Sequence, residues 1–253
     1  MAEKTSFTPR MGDLPVALSL LTRLPLRLPE DAYARASQAA WAYPLVGLVI
    51  SALAGLSGWV SAPLGAGFAA LVVLAVQAVL TGAMHEDGLA DCADGFWGGW
   101  DPARRLEIMK DSQIGTYGVL ALILGLAVRW WALELLISAN QLLPALLGVA
   151  VMSRAGMPTL MTWLPNARNT GLSHSVGHPP VLAVLLAGFL ALGVGVLTLG
   201  PTALPGAAIC ALLTFAVGLL SRAKIGGQTG DVLGASQQIC EIGLLVTCAA
   251  LVV

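Results

Sequence analysis

Residues 85–118 read HEDGLADCADGFWGGWDPARRLEIMKDSQIGTYG and separate two long apolar runs of the chain. This stretch holds seven of the 14 Asp and Glu residues, although 57% of the 253 residues are hydrophobic and only 11% are charged. An ordinary soluble domain carries about 25% charged residues. The composition therefore predicts a polytopic membrane protein that concentrates its carboxylates in one polar segment for a chemical purpose.

The spacing of three aspartates in this stretch predicts a metal site. On a helix, Asp87, Asp91 and Asp94 lie at positions i, i+4 and i+7, so their side chains point from one face. Like charges on adjacent turns repel one another, and a cation among them removes that repulsion. Oxygen-only ligands favour a hard ion, Mg²⁺ or Mn²⁺, and Mg²⁺ typically joins protein carboxylates to substrate phosphates. The alternative is a solvated acidic loop.

The remainder of the chain divides into apolar segments of membrane-spanning length, for which about 20 residues are needed. Residues 14–28 are apolar but short and interrupted by proline and arginine, which is typical of an interfacial or re-entrant helix. The predicted fold is all-α: a polytopic bundle of about six to seven transmembrane helices after this N-terminal helix, in a single membrane-embedded domain, residues 1–253. The predicted spans are 41–61, 66–84, 117–137, 141–162, 181–199, 203–221 and 237–253.

The connections between the spans alternate in charge. Short uncharged connections alternate with longer ones that carry Arg and Lys, and the positive-inside rule places the basic set in the cytoplasm. This predicts a multi-pass protein of the cell (inner) membrane whose active site is on the cytoplasmic face, where residues 85–116, 163–180 and 222–236 meet. The net charge of −1 gives no reason to expect nucleic acid as a partner. The four cysteines show no paired spacing, so we expect buried thiols.

A second polar segment, residues 222–241, reads RAKIGGQTGDVLGASQQICE. Backbone amides freed by its glycines and the N-terminus of a following helix can bind a phosphate. Glycine-rich turns are common in loops, so the signal depends on the predicted proximity to the aspartates. Glu241 lies ten residues beyond Asp231, too far along the next helix for an ordinary surface charge. Carboxylates, basic residues and a glycine-rich turn together favour phosphoryl-type transfer at the membrane face.

Besides Glu241, three charged residues lie within predicted spans, where charge is costly and is usually paired or functional. Arg129 and Glu134 are five residues apart, which is a poor spacing for an intrahelical pair, and we expect Glu134 near the outer interface. Arg154 lies within reach of the cytoplasmic side and is a candidate ligand for an anionic substrate.

The same segments carry a family resemblance that extends over nearly the whole chain. The chain resembles the cobalamin synthase (adenosylcobinamide-GDP ribazoletransferase) family of integral membrane enzymes. The resemblance implies a Mg²⁺-dependent reaction that joins α-ribazole, or its 5′-phosphate, to adenosylcobinamide-GDP and releases GMP. The matching motifs, in chain order, are LTRLP (21–25), HEDGLADCADG (85–95), LEIMKDSQIGTYG (106–118), SR (153–154), ARNTGL (167–172) and GGQTGDVLGA (226–235), followed by Glu241.

Carried over by position, the resemblance implies metal-binding roles for Asp87, Asp91 and Asp94 and an active-site role for Asp231. Asp94 or Asp231 accepts the proton of the attacking hydroxyl, with Asp94 favoured by analogy to the last aspartate of the CDP-alcohol phosphotransferase motif. Glu86 is left out of the site, because the family varies there. The candidate substrate-binding residues, in or beside the motifs, are His85, Lys110, Asp111, Arg154, Arg168, Lys224, Gly226, Gly227, Thr229 and Gly230.

Two other functions fit parts of the pattern. A CDP-alcohol-type lipid phosphotransferase shares the metal chemistry, but here the second aspartate follows the first by four residues and no arginine stands at the expected place. A transporter would place its acids near the bilayer midplane, often in two repeats, and no repeat is visible. The expected partners are the two small-molecule substrates, the lipid bilayer and no nucleic acid. A homo-oligomer, or association with other enzymes of the cobalamin pathway, is left open.

Overall fold

The structure is a computed structural model, and it describes residues 7–252. Residues 1–6 and 253, which the predicted single domain includes, lie outside the described residues. The described chain is built from helices joined by turns, which confirms the all-α prediction. The α-helices are α1 (Asp13–Leu21), α2 (Tyr43–Ser61), α3 (Ala66–Thr81), α4 (Met84–Gly98), α5 (Pro102–Ile108), α6 (Thr116–Ser138), α7 (Leu142–Trp163), α8 (Leu172–Val176), α9 (Val181–Leu199), α10 (Ala203–Ile225) and α11 (Gly230–Ala250).

Five segments are long and apolar enough to cross a membrane, or six if α3 and α4 form one broken span. The segment Val181–Ile225 contains both α9 and α10, which are joined at Gly200 with a positive φ of 55°. The prediction of a polytopic helical membrane protein is therefore confirmed. The five segments are Gln38–Leu64, Thr116–Ser138, Leu142–Trp163, Val181–Ile225 and Gly230–Ala250.

Two predicted boundaries were wrong. The last span begins at Gly230 rather than at 237, because polar residues that resemble a loop in sequence lie inside the bundle as part of α11. The N-terminal helix ends at Leu21 rather than continuing to 28, consistent with the prolines that follow. Helices α4 and α5 occupy most of the polar segment 85–116.

The acidic helix α4 turns away from the apolar helix α3 that precedes it. The two helices are bent by 88° at a short break, where Gly82 and Ala83 both have positive φ. A left-handed glycine is a common way for a helix to end. With 15 residues and four carboxylates, α4 is too short and too acidic to cross a bilayer alone. It therefore lies outside the five spanning segments.

Helix α11 is the central element of the bundle, and 72% of its apolar 18-residue stretch is buried. It packs closely on α4 through two glycines, one on each helix. A Cβ at Gly88 would lie 2.6 Å from the backbone oxygen of Asp231, and one at Gly234 would lie 3.1 Å from the Cα of His85. The absence of side chains at these two positions is what brings the acidic face of α4 to the N-terminus of α11.

The N-terminal helix α1 is held by Asp13, which is 1% exposed. Its carboxylate accepts hydrogen bonds from Arg35 Nε at 2.9 Å, Trp41 Nε1 at 2.9 Å and the backbone N–H of Arg10 at 2.9 Å. Burial raises the pKa of Asp13, but these hydrogen bonds outweigh burial and hold the pKa below its ordinary value of 3.8.

The four cysteines, Cys92, Cys210, Cys240 and Cys248, are all buried and free, which confirms their prediction as buried thiols.

Candidate active site

The three polar segments predicted to share a face do meet. Arg105 Nη1 donates to the carbonyl of Lys224 at 2.9 Å, and Gln228 Nε2 donates to Asn166 Oδ1 at 2.7 Å. The side of the membrane on which they meet stays a prediction. An ion pair of 3.0 Å between Arg168 Nη2 and Asp231 Oδ2 joins the second and third segments.

The glycine-rich turn before α11 is fixed by its neighbours. Gln228 N–H donates to the carbonyl of Pro165 at 2.8 Å, and a Cβ at Gly227 would overlap that same carbonyl. Gly226 ends α10 in the left-handed conformation with φ 78°. Thr229 caps α11, since its hydroxyl accepts the N–H of Val232. The turn therefore presents the N-terminus of α11 in a defined position, and the space around the α-carbon of Gly230 is open.

The acidic face of α4 lies beside that N-terminus. Neither Asp87 nor Asp91 accepts a hydrogen bond from any of residues 7–252, whereas Asp231 Oδ2 accepts hydrogen bonds from Arg168 at 3.0 Å and from the Thr229 hydroxyl at 3.1 Å. Burial raises the pKa of Asp91 to about 7, and the carboxylates of Asp231 and Asp87 contribute to the rise. The three carboxylates therefore oppose one another's ionisation.

Asp94 differs from the other two predicted ligands on α4. It is 8% exposed, and its two oxygens accept the backbone N–H groups of Gly115 at 2.7 Å and Gly118 at 2.9 Å. Glycine is required at both positions, because a Cβ on either would overlap the Asp94 carboxylate. Asp94 thus ties α4 to the start of α6. Its predicted roles as ligand and base stay predictions.

The carboxylates fit Mg²⁺ as an ion held partly by substrate. Within residues 7–252, no three His, Cys, Asp or Glu side chains are placed to enclose a metal by themselves. Mg²⁺ usually retains several waters and binds through one or two carboxylates plus substrate phosphates, so it does not need such an enclosure. Asp87 and Asp91 have the oxygens for this arrangement, since no described residue donates to them.

A cavity of about 140 Å³ opens beside these carboxylates and is lined by residues of α1, α2, α4, α7, α8 and α11. Charged residues lie at its exposed end, where the side chains of Arg168 and Asp231 are 22% and 18% exposed. Its buried end is mostly apolar and also contains His85. Five of the predicted site residues therefore line one cavity: His85, Asp87, Arg168, Gly230 and Asp231.

The other predicted substrate-binding side chains lie elsewhere. Lys224 Nζ sits over the ring of Trp97, 5.3 Å from its centroid. Lys110 is exposed, and Asp111 lines a separate depression of about 400 Å³ that also includes Asp94. Arg154 is buried in the bundle, where Nη1 donates to the carbonyl of Ala150 at 2.9 Å.

Sequence reasoning missed a buried polar network behind the site. Arg129, 2% exposed, donates from Nη1 to Glu86 Oε1 at 2.9 Å and from Nη2 to Glu241 Oε1 at 2.7 Å. It also donates to Gln238 Oε1 at 2.8 Å and to Gln77 Oε1 at 3.0 Å. Glu86, left out of the predicted site, therefore joins α4 to α6 and α11. An arginine within an apolar span was the signal that something must pair with it.

Comparison with known proteins gives a consistent result. Residues 13–249 match the family described as cobalamin-5-phosphate synthase. Proteins named adenosylcobinamide-GDP ribazoletransferase are similar along nearly their full lengths. The one from Bradyrhizobium diazoefficiens is 44% identical over 246 residues, 95% of this chain and 94% of the relative. The one from Allorhizobium ampelinum is 41% identical over 262 residues, 96% and 98% of the two chains. No solved structure matches.

Proposed function

The chain belongs to the cobalamin-5-phosphate synthase family. We propose roles for its residues in the reaction that joins ribazole to adenosylcobinamide-GDP. The protein is a transferase of cobalamin biosynthesis and a membrane protein with several apolar helices. The lipid phosphotransferase alternative is not favoured, because the curated relatives are ribazoletransferases. The observation that supports the proposed mechanism is the single cavity in which Asp87, Arg168 and Asp231 meet.

The reaction needs negative charge to be neutralised on a pyrophosphate. A ribose hydroxyl of α-ribazole, or of its 5′-phosphate, attacks the phosphorus that carries the cobinamide; the new P–O bond forms as the bond to the GMP phosphate breaks. Arg168 supports this step, since Nη2 is engaged by Asp231 and Nη1 is buried with no partner among residues 7–252. A guanidinium with a free N–H edge suits a phosphate oxygen.

We place the divalent cation at Asp87 and Asp91. Mg²⁺ bound there would stabilise charge on the transferring and departing phosphates. The two carboxylates lie one helical turn apart on α4 and accept no hydrogen bond from the described chain, so their oxygens remain for a cation. Asp94 also lies on this helix but uses both oxygens to hold backbone amides. We therefore assign Asp94 chiefly to holding the start of α6.

We propose that Asp231 is the general base that accepts the proton of the attacking hydroxyl. This carboxylate lines the cavity, whereas Asp94 lines the separate depression. Arg168 and the Thr229 hydroxyl both bond to Oδ2, and they hold the carboxylate while Oδ1 receives the proton. The geometry thus reverses the preference for Asp94 that the motif analogy suggested. A general base must lie within hydrogen-bond reach of the proton that it accepts.

We further propose that the site faces the cytoplasm from the cell inner membrane. The basic residues of the three segments that meet at the site support this orientation through the positive-inside rule. Labelling of single cysteines placed at the exposed positions 111, 169 and 223 in intact cells tests it. Reagent that cannot cross the membrane should leave all three unlabelled, and labelling of any one would contradict the proposal.

The activity and its metal dependence can be tested with one matched pair of variants. Purified protein in nanodiscs, supplied with adenosylcobinamide-GDP, α-ribazole and Mg²⁺, should release GMP. Asp87→Asn should lose roughly 100-fold or more in rate, as expected when charge neutralisation worth several kcal/mol is removed, while keeping the melting temperature of the wild type. Asp31→Asn, at an exposed acid outside the site, should retain full rate. An Asp87→Asn protein that is active at ordinary Mg²⁺ would contradict the metal assignment.

A further inference from the structure

The cavity beside Asp231 changes in character from its exposed end to its buried end. At the exposed end lie the carboxylate of Asp87 and the Arg168–Asp231 ion pair. At the buried end lie Tyr43, Met157 and Met161, each 3% exposed or less. A ligand that fills the cavity must therefore place a polar portion near the carboxylates and an apolar portion inside the bundle.

Three methionines contribute to the lining, Met84, Met157 and Met161. Methionine is unbranched and polarisable, and its sulfur makes favourable contacts with aromatic rings. Tyr43 adds a ring of its own, and leucines and a valine supply most of the remaining lining. This lining suits a flat aromatic group better than a flexible chain or a charged one.

We propose that the buried end of this cavity is the binding site for the aromatic base of ribazole, with the ribose placed at the exposed end beside Asp231. The inference rests on the proposed function, because it assumes that ribazole is the acceptor. In this pose a ribose hydroxyl lies where Asp231 can take its proton, and the transferring phosphorus lies at the exposed end of the cavity near Asp87.

The two substrates together carry three aromatic bases, and the lining distinguishes them. Guanine and adenine of adenosylcobinamide-GDP each have several donors and acceptors around their edges, and burying these groups without partners costs about 1–3 kcal/mol each. The dimethylbenzimidazole of ribazole has two methyl groups and a single unsubstituted ring nitrogen. His85 matches that lone nitrogen, since it lies at the buried end and its Nε2 has no hydrogen-bond partner among residues 7–252. The corrinoid is far too large for about 140 Å³.

The decisive variant fills the cavity. Met161→Trp should raise the KM for α-ribazole about tenfold or more and leave the KM for adenosylcobinamide-GDP within about twofold, since only the acceptor loses its site. Direct binding of α-ribazole, followed by the fluorescence of its own base in nanodiscs without the second substrate, should weaken by the same factor. The matched control is Leu192→Trp, at an exposed position of α9 that lines a separate cavity against α7 and α10, which should change neither value.

A second variant covers the case in which tryptophan disrupts folding. Met157→Ala enlarges the buried end and should shift the kcat/KM preference towards a ribazole analogue whose base is one ring longer. If Met161→Trp instead raises the KM for adenosylcobinamide-GDP, or if guanosine competes with ribazole in the fluorescence assay, the cavity holds guanine and the inference is wrong. Failure of the proposed function would look different, because the wild type would then release no GMP.

Discussion

Arg129 of α6 and Glu241 of α11 form an ion pair inside the helical bundle, with Nη2 2.7 Å from Oε1 and neither side chain more than 3% exposed. Nη1 of Arg129 also lies 2.9 Å from Oε1 of Glu86 on α4. One guanidinium therefore links the acidic helix to the central helix. Because Asp87 follows Glu86 directly, this network orients the face of α4 that carries the candidate metal ligands.

Removing Arg129 should destabilise the fold. Arg129→Met removes the ion-pair partner that Glu241 and Glu86 share, and breaking a buried pair in this way typically costs about 3–5 kcal/mol. We expect a clear fall in the melting temperature measured in detergent. Arg104→Met is the matched control, because its pair with Glu107 is exposed and exposed pairs contribute about 0–1 kcal/mol. Equal melting temperatures for the two variants would show that the buried network is not stabilising.

The contact between α4 and α11 depends on a glycine. Gly88→Ala would place a Cβ 2.6 Å from the backbone oxygen of Asp231 and 2.9 Å from its Cα, and backbone cannot move aside as a side-chain end can. We expect α11 to shift at its N-terminus, so that activity falls by about tenfold or more, with a loss of stability of about 1–3 kcal/mol typical of overpacking.

The control for this variant is on the same helix. Gly98→Ala adds the same methyl group where the nearest heavy atom, Ile108 Cδ1, is 3.5 Å away, and alanine is the better helix former. It should retain activity and stability. If Gly88→Ala behaves like Gly98→Ala in the GMP-release assay, close packing at Asp231 is not needed for catalysis.

Much of the architecture could be predicted because it follows from local composition. Apolar length indicates the spanning helices, and the distribution of Arg and Lys predicted which polar segments would meet. The meeting of Arg168 and Asp231 follows from that grouping. The start of α11 could not be predicted in the same way, because Asp231, Gly234 and Ser236 resemble a polar, glycine-rich loop in sequence, yet Gly234 and Ser236 are buried within the helix.

The hydrogen-bond partners of individual side chains could not be predicted from the sequence. Asp94 shares the spacing of Asp87 and Asp91, so nothing in the pattern distinguishes it from them. Its difference arises because the backbone N–H groups of Gly115 and Gly118 approach it from more than twenty residues away. Such pairing depends on how helices are rotated against one another, which helical periodicity alone does not specify.

The hydrogen bonds at Asp13 predict an acid-dependent loss of stability. The folded pKa of Asp13 lies below the unfolded value of 3.8, so ionised Asp13 stabilises the fold above that value, and the stabilisation is lost as the pH falls from about 3.8 through the folded pKa. We expect the difference in melting temperature between wild type and Asp13→Asn to be largest near neutral pH and to shrink as the pH falls below about 4. A difference that stays constant down to pH 3 would contradict this linkage.

The proposed roles of Asp94, which holds the start of α6, and of Asp231, which accepts the proton, can be distinguished by substitution. Asp231→Asn should bind both substrates with little change in KM but lose about 100-fold or more in kcat, because the hydroxyl proton has no acceptor, a step that typically contributes 10²–10⁴-fold. At saturating Mg²⁺, which keeps Asp91 ionised, the acidic limb of the pH–rate profile should disappear from the residual activity of this variant. Asp94→Asn should instead lower the melting temperature, since an amide nitrogen would face the backbone N–H of Gly115 or Gly118 where a carboxylate oxygen now accepts it. The residual activity of Asp94→Asn should keep the pH profile of the wild type. If the acidic limb disappears in Asp94→Asn and persists in Asp231→Asn, Asp94 is the base and the assignment made from the cavity is wrong.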